Sequence, residues 1–313
     1  MNSIQIQTAG LLTTVQDLGR DGFGPIGVSR SGAADPISLR LGNRLVGNIQ
    51  SAAALEMTLF GGTFRFPEGA VVALTGSDFG ASLADGNVDV GTSFEVRPGQ
   101  TLRLGSTRSG ARSYLCVRGG IAVPLFLASR STHLLSGLGG FEGRPLRAGD
   151  VLPIGPATTP FRKRAVAPHI AERLAPGKVL RVTPGPQLSW FSESSRRCFF
   201  SSLYRIGEQS DRMGLRLEGA PISQRLRREM STEGVSLGAV QVPPGGSPII
   251  LFVEQQTTGG YPKIANVISA DLHSLGQLRP RDEIRFEKVS WEAAQSLLLE
   301  QEKLLASEES ILE

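Results

Sequence analysis

Apolar and polar residues alternate in short runs along most of the chain. Ser3 to Thr8 (SIQIQT), Thr63 to Phe66 (TFRF), Val71 to Gly76 (VVALTG), Phe94 to Leu104 (FEVRPGQTLRL) and Ser113 to Ile121 (SYLCVRGGI) carry this period-two pattern and are broken by Gly and Pro. That pattern predicts half-buried strands joined by tight turns. Two segments have a different period. In Asp35 to Val46 (DPISLRLGNRLV), a helix-start Asp, a Pro in the first turn and Ile37, Leu41 and Leu45 at four-residue spacing predict a helix that stops at Gly47. From Trp291 to the C-terminus, leucines recur on one face behind Ser290, a residue suited to N-capping, and predict an amphipathic C-terminal helix.

The stretch Gly155 to Lys178 (GPATTPFRKRAVAPHIAERLAPGK) is rich in Pro, Ala and basic residues and lacks a strand period. It is the best linker candidate and places two β-rich domains at 1–160 and 178–290, with a linker at 161–177 and a helix at 291–313. Two internal echoes at nearly the same offset support a duplicated unit. Gly61 to Leu74 echoes Leu237 to Leu251, and IGVSRSGAADPISLRLGN from Ile26 echoes IGEQSDRMGLRLEG from Ile206. Chance similarity between Gly-rich strands is the competing explanation.

Composition sharpens the class. With 38 Gly, 19 Pro and 6% aromatic residues in 313, many short segments are favoured over a helical bundle. The net charge of +4 is spread along the chain without interleaved aromatics, which argues against nucleic acid and suits a small acidic ligand. Cys116 and Cys198 lack paired spacing, and His133, His169 and His273 are isolated, so no metal site is expected. The start MNSIQIQTAG is not a signal peptide, and no apolar run has membrane-spanning length, so the expected location is cytoplasmic, with no membrane partner.

Three clusters could carry chemistry. The first, TVQDLGRDGFGPIGVSRSGAAD, gathers Gln16, Asp17, Arg20, Ser31 and Asp35 in a Gly-rich loop before a helix, where an anionic or amide substrate could be oriented. Local Asp and Ser hydrogen bonds would explain it equally well. The second, SDRMGLRL, places Asp211 and Arg212 together, although adjacent residues do not share a face. The third supplies Arg118 and Arg130, with Ser131 and Thr132, as candidates for binding carboxylate or phosphate. After the apolar run PIILF, the stretch QQTTGGYPKI offers Gln256, Thr257, Thr258, Gly259, Gly260 and Tyr261. Positive φ at the two glycines would aim their amides outward, and a Gly-Gly hairpin turn is the simpler reading. Neither a GxxxxGK[ST] loop nor a GxSxG elbow is present.

Taken in order, TVQDLGRDGFGPIGVSRSGAAD, NRLVGN, ALEMTLFGG, VALTGSD, YLCVRGGI, GGFEGRPLRAGD, TPGPQ, SDRMGLRL, GAVQVPPGGSPIIL and QTTGGYPKIANV cover nearly the whole chain. Together they resemble the biotin-dependent carboxyltransferase-like family, also called allophanate hydrolase subunit 2 or KipA-type, which includes one component of bacterial 5-oxoprolinase. The resemblance implies a mainly β fold of two cyclophilin-like β-barrel domains. It implies a hetero-oligomer with a small subunit of the allophanate hydrolase subunit 1 or KipI type and a lactam-utilisation subunit. The implied activity is ATP-dependent hydrolysis of 5-oxo-L-proline to L-glutamate, with ATP not assigned to one polypeptide. The alternatives within the family are the carboxyltransferase component of a urea carboxylase or allophanate hydrolase system, where carried biotin would be the cofactor, and a KipA-like antagonist of a kinase inhibitor. Under the leading reading Arg20, Asp35, Asp211 and Arg212 are catalytic candidates. Gln16, Ser31, Gln256, Thr257, Thr258, Gly259, Gly260 and Tyr261 line the substrate site, and Arg118 and Arg130 bind an anion. The sequence departs from the family at Glu254, where Asp is common, and at Arg281, where Gly often follows Pro.

Overall fold

A computed structural model describes residues 2–84, 86–157, 161–224 and 230–313. The protein is mainly β and divides into two compact units. The first comprises Met1–Arg20, Ser31–Ala175 and Leu304–Glu313, and the second comprises Asp21–Arg30 and Pro176–Lys303.

In the first unit, antiparallel strands form two sheets. One has the order Val151–Pro153, Ser3–Thr8, Thr63–Arg65, Thr101–Arg103, Ser82–Leu83, Gly86–Asn87. The other runs Leu12–Gln16, Ala54–Thr58, Arg112–Val117, Ala70–Gly76, Thr92–Val96, Ala165–Val166, Ile311–Leu312. Ile4, Ile6 and Phe64 from the first sheet and Leu55, Met57, Leu74 and Leu115 from the second share one buried core. The strand Arg112–Val117 is buried throughout, because it pairs with a neighbour on each side and has a helix against one face. That helix is Pro36–Leu45, with Pro at its start and Asp35 as N-cap. Gly42 lets it approach the sheet closely, since a Cβ there would lie 2.6 Å from Cys116 Sγ and 2.7 Å from Thr75 Oγ1.

The second unit contains the closed barrel: Val179–Pro184, Lys263–Val267, Ala239–Gln241, Ile249–Leu251, Gly214–Gly219, Tyr204–Ile206, Glu283–Lys288. Parallel pairing of Val179–Pro184 with Glu283–Lys288 closes it. Phe199, from the helix Glu193–Ser201, stacks on Phe286 of the closing strand with ring centroids 4.5 Å apart. That aromatic contact seats the helix on the barrel wall.

Three boundaries differ from those read in the sequence. The expected linker at 161–177 is structured: Ala165–Val166 pairs with Thr92 and with Ile311–Leu312, and the helix Pro168–Arg173 buries Ile170. Ile170 and Leu174, four residues apart, pack with Ile37, Leu41 and Leu305, an apolar period obscured by surrounding Pro and Arg. The C-terminal helix spans Trp291–Ala306, with Ser290 Oγ accepting from Ala293 N at 3.2 Å. The chain then ends in the strand Ile311–Leu312 instead of continuing as a helix to 313. Segment 21–30 groups with the second unit.

Candidate functional site

The first and third sequence clusters converge in the first unit. Strand Leu12–Gln16 ends at Asp17, whose carboxylate accepts from Gly19 N (2.8 Å), Ser129 Oγ (2.7 Å), Arg130 N (2.5 Å) and Ser131 Oγ (2.5 Å). Gln16 Nε2 donates to the Thr132 carbonyl at 3.1 Å, and Ser31 Oγ donates to the same carbonyl at 2.7 Å. Arg20 Nη2 donates to the Ser131 carbonyl, while its guanidinium lies 5.8 Å from the Phe126 ring centroid. Gln16, Arg20 and Ser31 thus hold the segment Ser129 to Thr132, and all three are buried. Gln16 Oε1 is buried with no hydrogen-bond partner. Gly139, at φ +64°, permits this closeness, because a Cβ there would lie 2.3 Å from the Ser131 carbonyl oxygen.

Asp35 caps the helix Pro36–Leu45. Its carboxylate accepts from Ser38 N (3.0 Å) and Ser38 Oγ (2.6 Å), and its own N–H donates to Tyr114 Oη (2.8 Å). Tyr114 in turn donates to Glu56 Oε2 at 2.7 Å. Burial, followed by the charges of Glu56 and Asp35, pushes the Tyr114 phenol well above its ordinary range, so it stays a donor. Burial likewise pushes the Cys116 thiol up, which keeps it an unreactive core residue.

Arg118 and Arg130 both line a cavity of about 560 Å³ wholly within the first unit, together with Asp17, Asn48 and the backbone of Gly119 and Gly155.

In the second unit Asp211 and Arg212 diverge. Asp211 Oδ1 accepts from Met213 N (2.8 Å) and Gly214 N (3.1 Å), forming an exposed Asx turn. Arg212 turns inward to a buried ion pair, with Nε 2.5 Å from Glu254 Oε1. Glu254, the acidic residue ahead of the rim, is therefore the partner of Arg212. Arg281 has φ +73°, a backbone region where glycine is at ease, and pairs with Glu208 at 2.5 Å.

Neither the Gly-Gly hairpin turn nor the positive φ weighed for 259–260 is formed. Thr258–Gly259 is a short strand paired antiparallel with Glu233–Gly234, and neither Gly259 nor Gly260 has positive φ. Gly259 instead lies close to the end of the Gln241 side chain, where a Cβ would come 2.7 Å from Nε2. Gln256 Nε2 donates to Gln241 Oε1 at 3.3 Å. Gln256, Thr258 and Tyr261 are exposed, and Thr257 is half-buried with its carbonyl accepting from Val235 N at 3.1 Å.

Beside this rim lies a group that sequence reasoning missed. Lys263 is buried, and its Nζ contacts Glu233 Oε1, to which Gln187 Nε2 also donates at 3.0 Å. Gln187 Oε1 accepts from Lys263 N at 3.1 Å, which closes the network. The Lys263 ammonium, followed by the Gln187 amide, holds the half-exposed Glu233 carboxyl below the usual carboxylate range. A charged residue opening the mostly apolar run KIANV was the available signal.

Among the described residues no group of three or more His, Cys, Asp and Glu could hold a metal ion, and no helix is long and apolar enough to cross a membrane.

Residues 26–288 match the family model described as carboxyltransferase domain, subdomain A and B. The chain is 42% identical to the C subunit of 5-oxoprolinase from Escherichia coli (strain K12) over 291 residues, covering 93% of each chain. It is 35% identical to the urea amidolyase of Lachancea kluyveri over 94% of this chain but 17% of that protein. Among solved structures, the urea amidolyase of K. lactis superimposes with a TM-score of 0.91 at 32% identity, covering 99% of this chain and 21% of that one.

Proposed function

The chain belongs to the carboxyltransferase subdomain A and B family, and from that membership we propose that it is the C component of a 5-oxoprolinase, acting in the ATP-dependent hydrolysis of 5-oxo-L-proline to L-glutamate. The observation that carries this reading is the 42% identity over 93% of both chains, a match in length that the urea amidolyases lack. On this reading the chain works in the cytoplasm with a small subunit of the allophanate hydrolase subunit 1 type and a lactam-utilisation subunit. ATP is a substrate of the complex as a whole, with no residue of this chain assigned to it.

A five-membered lactam is a stable amide, and attack on its carbonyl carbon needs the oxygen activated. ATP phosphorylates that oxygen and departs as ADP; water adds to the carbon, the ring C–N bond breaks with the nitrogen leaving as the amine of a glutamyl phosphate, and a second water releases inorganic phosphate to give glutamate. We assign substrate contact to the rim of the second unit. The exposed hydroxyls of Thr258 and Tyr261 and the half-buried Thr257 donate to the lactam oxygen and the ring carboxylate. The Lys263 ammonium, held by Glu233, which Gln187 braces in turn, supplies fixed positive charge beside them. The observed partners of Arg20, Asp35, Asp211 and Arg212 support positioning roles for all four: Arg20 fixes a loop, Asp35 caps a helix, Asp211 closes a turn and Arg212 forms a buried pair.

Co-expression with the two partner polypeptides, followed by assay of glutamate released from 5-oxoproline with and without ATP, tests the assignment. Release that requires both ATP and this chain is expected; equal release without the chain overturns it. In the reconstituted complex, Lys263→Met is expected to lower kcat about 100-fold, the order found when one charge-stabilising donor is removed. Tyr261→Phe, at an exposed rim position, is expected to cost about 10-fold, equivalent to one hydrogen bond.

The close superposition on a urea amidolyase favours one second reading, a carboxyltransferase acting on carboxylated biotin carried by another chain. A biotinylated polypeptide that co-purifies with this chain and supports carboxyl transfer would select it.

A further inference from the structure

Among the described residues many arginines already have a carboxylate partner. Arg108 pairs with Asp78, Arg144 with Asp150 and Glu142, Arg162 and Arg164 with Glu313, and Arg181 with Asp271. The cavity of about 560 Å³ in the first unit is different. Arg118 follows the buried strand Arg112–Val117, its backbone N–H donates to the Val71 carbonyl, and its guanidinium has no hydrogen bond or ion pair among the described residues. Arg130 uses its backbone N–H on Asp17 and its Nε on the Val123 carbonyl at 2.9 Å, leaving its two terminal nitrogens without a carboxylate. Asp17 is the one carboxylate among the described residues lining the cavity, and its oxygens already accept from four donors, none of them a guanidinium.

The walls are constrained where such a site needs them to be. Gly119 and Gly155 touch backbone to backbone, so that a Cβ on Gly119 would lie 2.0 Å from the Gly155 carbonyl oxygen. Leu127 and Ala128 are consecutive non-glycine residues at φ +49° and +60°, held by the bridge between Phe126 and Ser129, and Ala128 lines the cavity. Non-glycine residues persist in that region only where the surroundings impose it, and such residues concentrate at functional sites. Ile49 and Leu125, 75% and 58% exposed, also line the cavity and give it an apolar part.

We propose that this cavity binds a small organic oxyanion, with the carboxylate or phosphate taken by Arg118 and Arg130 and an apolar body resting on Ile49 and Leu125. Guanidinium groups present paired donors that match either oxyanion. Two arginines against one fully satisfied carboxylate leave a positive balance that an anionic group would neutralise. The volume falls in the range of small-molecule sites and exceeds what a bare oxyanion fills. The site is independent of the lactam reading, because every lining residue lies in the first unit.

Titration calorimetry on the purified full-length chain tests this with two probes, phenyl phosphate and phenylacetate. Saturable binding of at least one is expected, weakened at least 10-fold by Arg118→Gln and by Arg130→Gln, and only partly restored by Arg118→Lys, which keeps the charge and loses the fork. Arg108→Gln, at an exposed ion pair, is expected to leave binding unchanged. Binding in one arm alone identifies the oxyanion, and binding in both supports the shared chemistry. No saturable binding of either probe, or equal binding by Arg118→Gln, overturns the proposal. Melting curves confirm that each variant is folded, and Arg118→Gln alone decides the matter if Arg130→Gln is not.

Discussion

Two heptapeptides, Asp35 to Leu41 (DPISLRL) and Asp211 to Leu217 (DRMGLRL), share four of their residues at the same spacing and fold differently. In the first, Leu39, Arg40 and Leu41 lie in the helix Pro36–Leu45; in the second, Leu215, Arg216 and Leu217 lie in the strand Gly214–Gly219. The three residues between Asp and Leu decide the outcome. Pro36 presets the helical φ, and Ser38 gives both its N–H and its hydroxyl to Asp35. In the second, Asp211 caps a tight turn and Arg212 is drawn into the pair with Glu254. Gly214 then enters the barrel where a Cβ would lie 2.9 Å from Ile249 Cγ2. The leucines follow suit. In the strand, Leu215 and Leu217 face the same side and are buried while Arg216 is exposed. In the helix, Leu39 packs toward Tyr114 and Cys116, whereas Leu41 packs toward Ile170, Leu174 and Leu305, so one tripeptide serves two separate cores.

The strand copy breaks most easily at Arg212. Arg212→Ala leaves Glu254 charged and buried, and is expected to cost about 3–5 kcal/mol in denaturant unfolding of the second unit. Replacing both partners with Met is expected to recover most of that loss. The helix copy breaks at its second core: Leu41→Ala is expected to cost about 2–5 kcal/mol. Its effect should be non-additive with Leu305→Ala by roughly 0.5–3 kcal/mol, because the two side chains share one cluster. Asp35→Ala, which removes the cap, is expected to cost about 1 kcal/mol. Asp211→Ala, at the exposed turn, should cost about 0.5 kcal/mol or less.

Arg281 reverses the lesson of Gly214, being a side chain where the backbone suits glycine. Arg281→Gly is expected to stabilise the second unit by roughly 0.5–1 kcal/mol, the relief of left-handed strain less a weak surface ion pair, read as a raised denaturant midpoint. The smallest effect expected is in pH dependence. Because Lys263 depresses the Glu233 carboxyl in the folded protein, its contribution is present above the ordinary carboxylate range. It is lost as pH falls through the lowered value. Glu233→Gln is expected to flatten the acid limb of a stability-versus-pH curve measured from neutral pH down; an unchanged limb would show that the pair carries no linkage.

The period of apolar residues, read alone, gave away strands of the first unit, the capped helix at 36–45 and the start of the C-terminal helix, because those signals are local. The helix at 168–173 escaped notice, since its two apolar anchors are visible only when Leu41 and Leu305 are brought beside them. Family resemblance pointed to the residues of the rim and loops, but not to what each one touches. Gln16, Arg20 and Ser31 hold a segment about a hundred residues away, and the hydroxyls and charges of that contact look in sequence like those of a binding loop. Lys263 and Glu233 escaped for the same reason, being thirty residues apart with no shared motif.

What the sequence by itself determined is the β-rich class, the capped helix and the family, all of which depend on composition, short-range period and the order of motifs. Only the tertiary structure decided which Asp-x-x-x-Leu-Arg-Leu becomes helix and which strand, that Arg212 and Lys263 are paired, and that Arg118 and Arg130 share a cavity without a carboxylate of their own. Pairing, burial and charge balance are relations between residues far apart in the chain, and no local pattern records them.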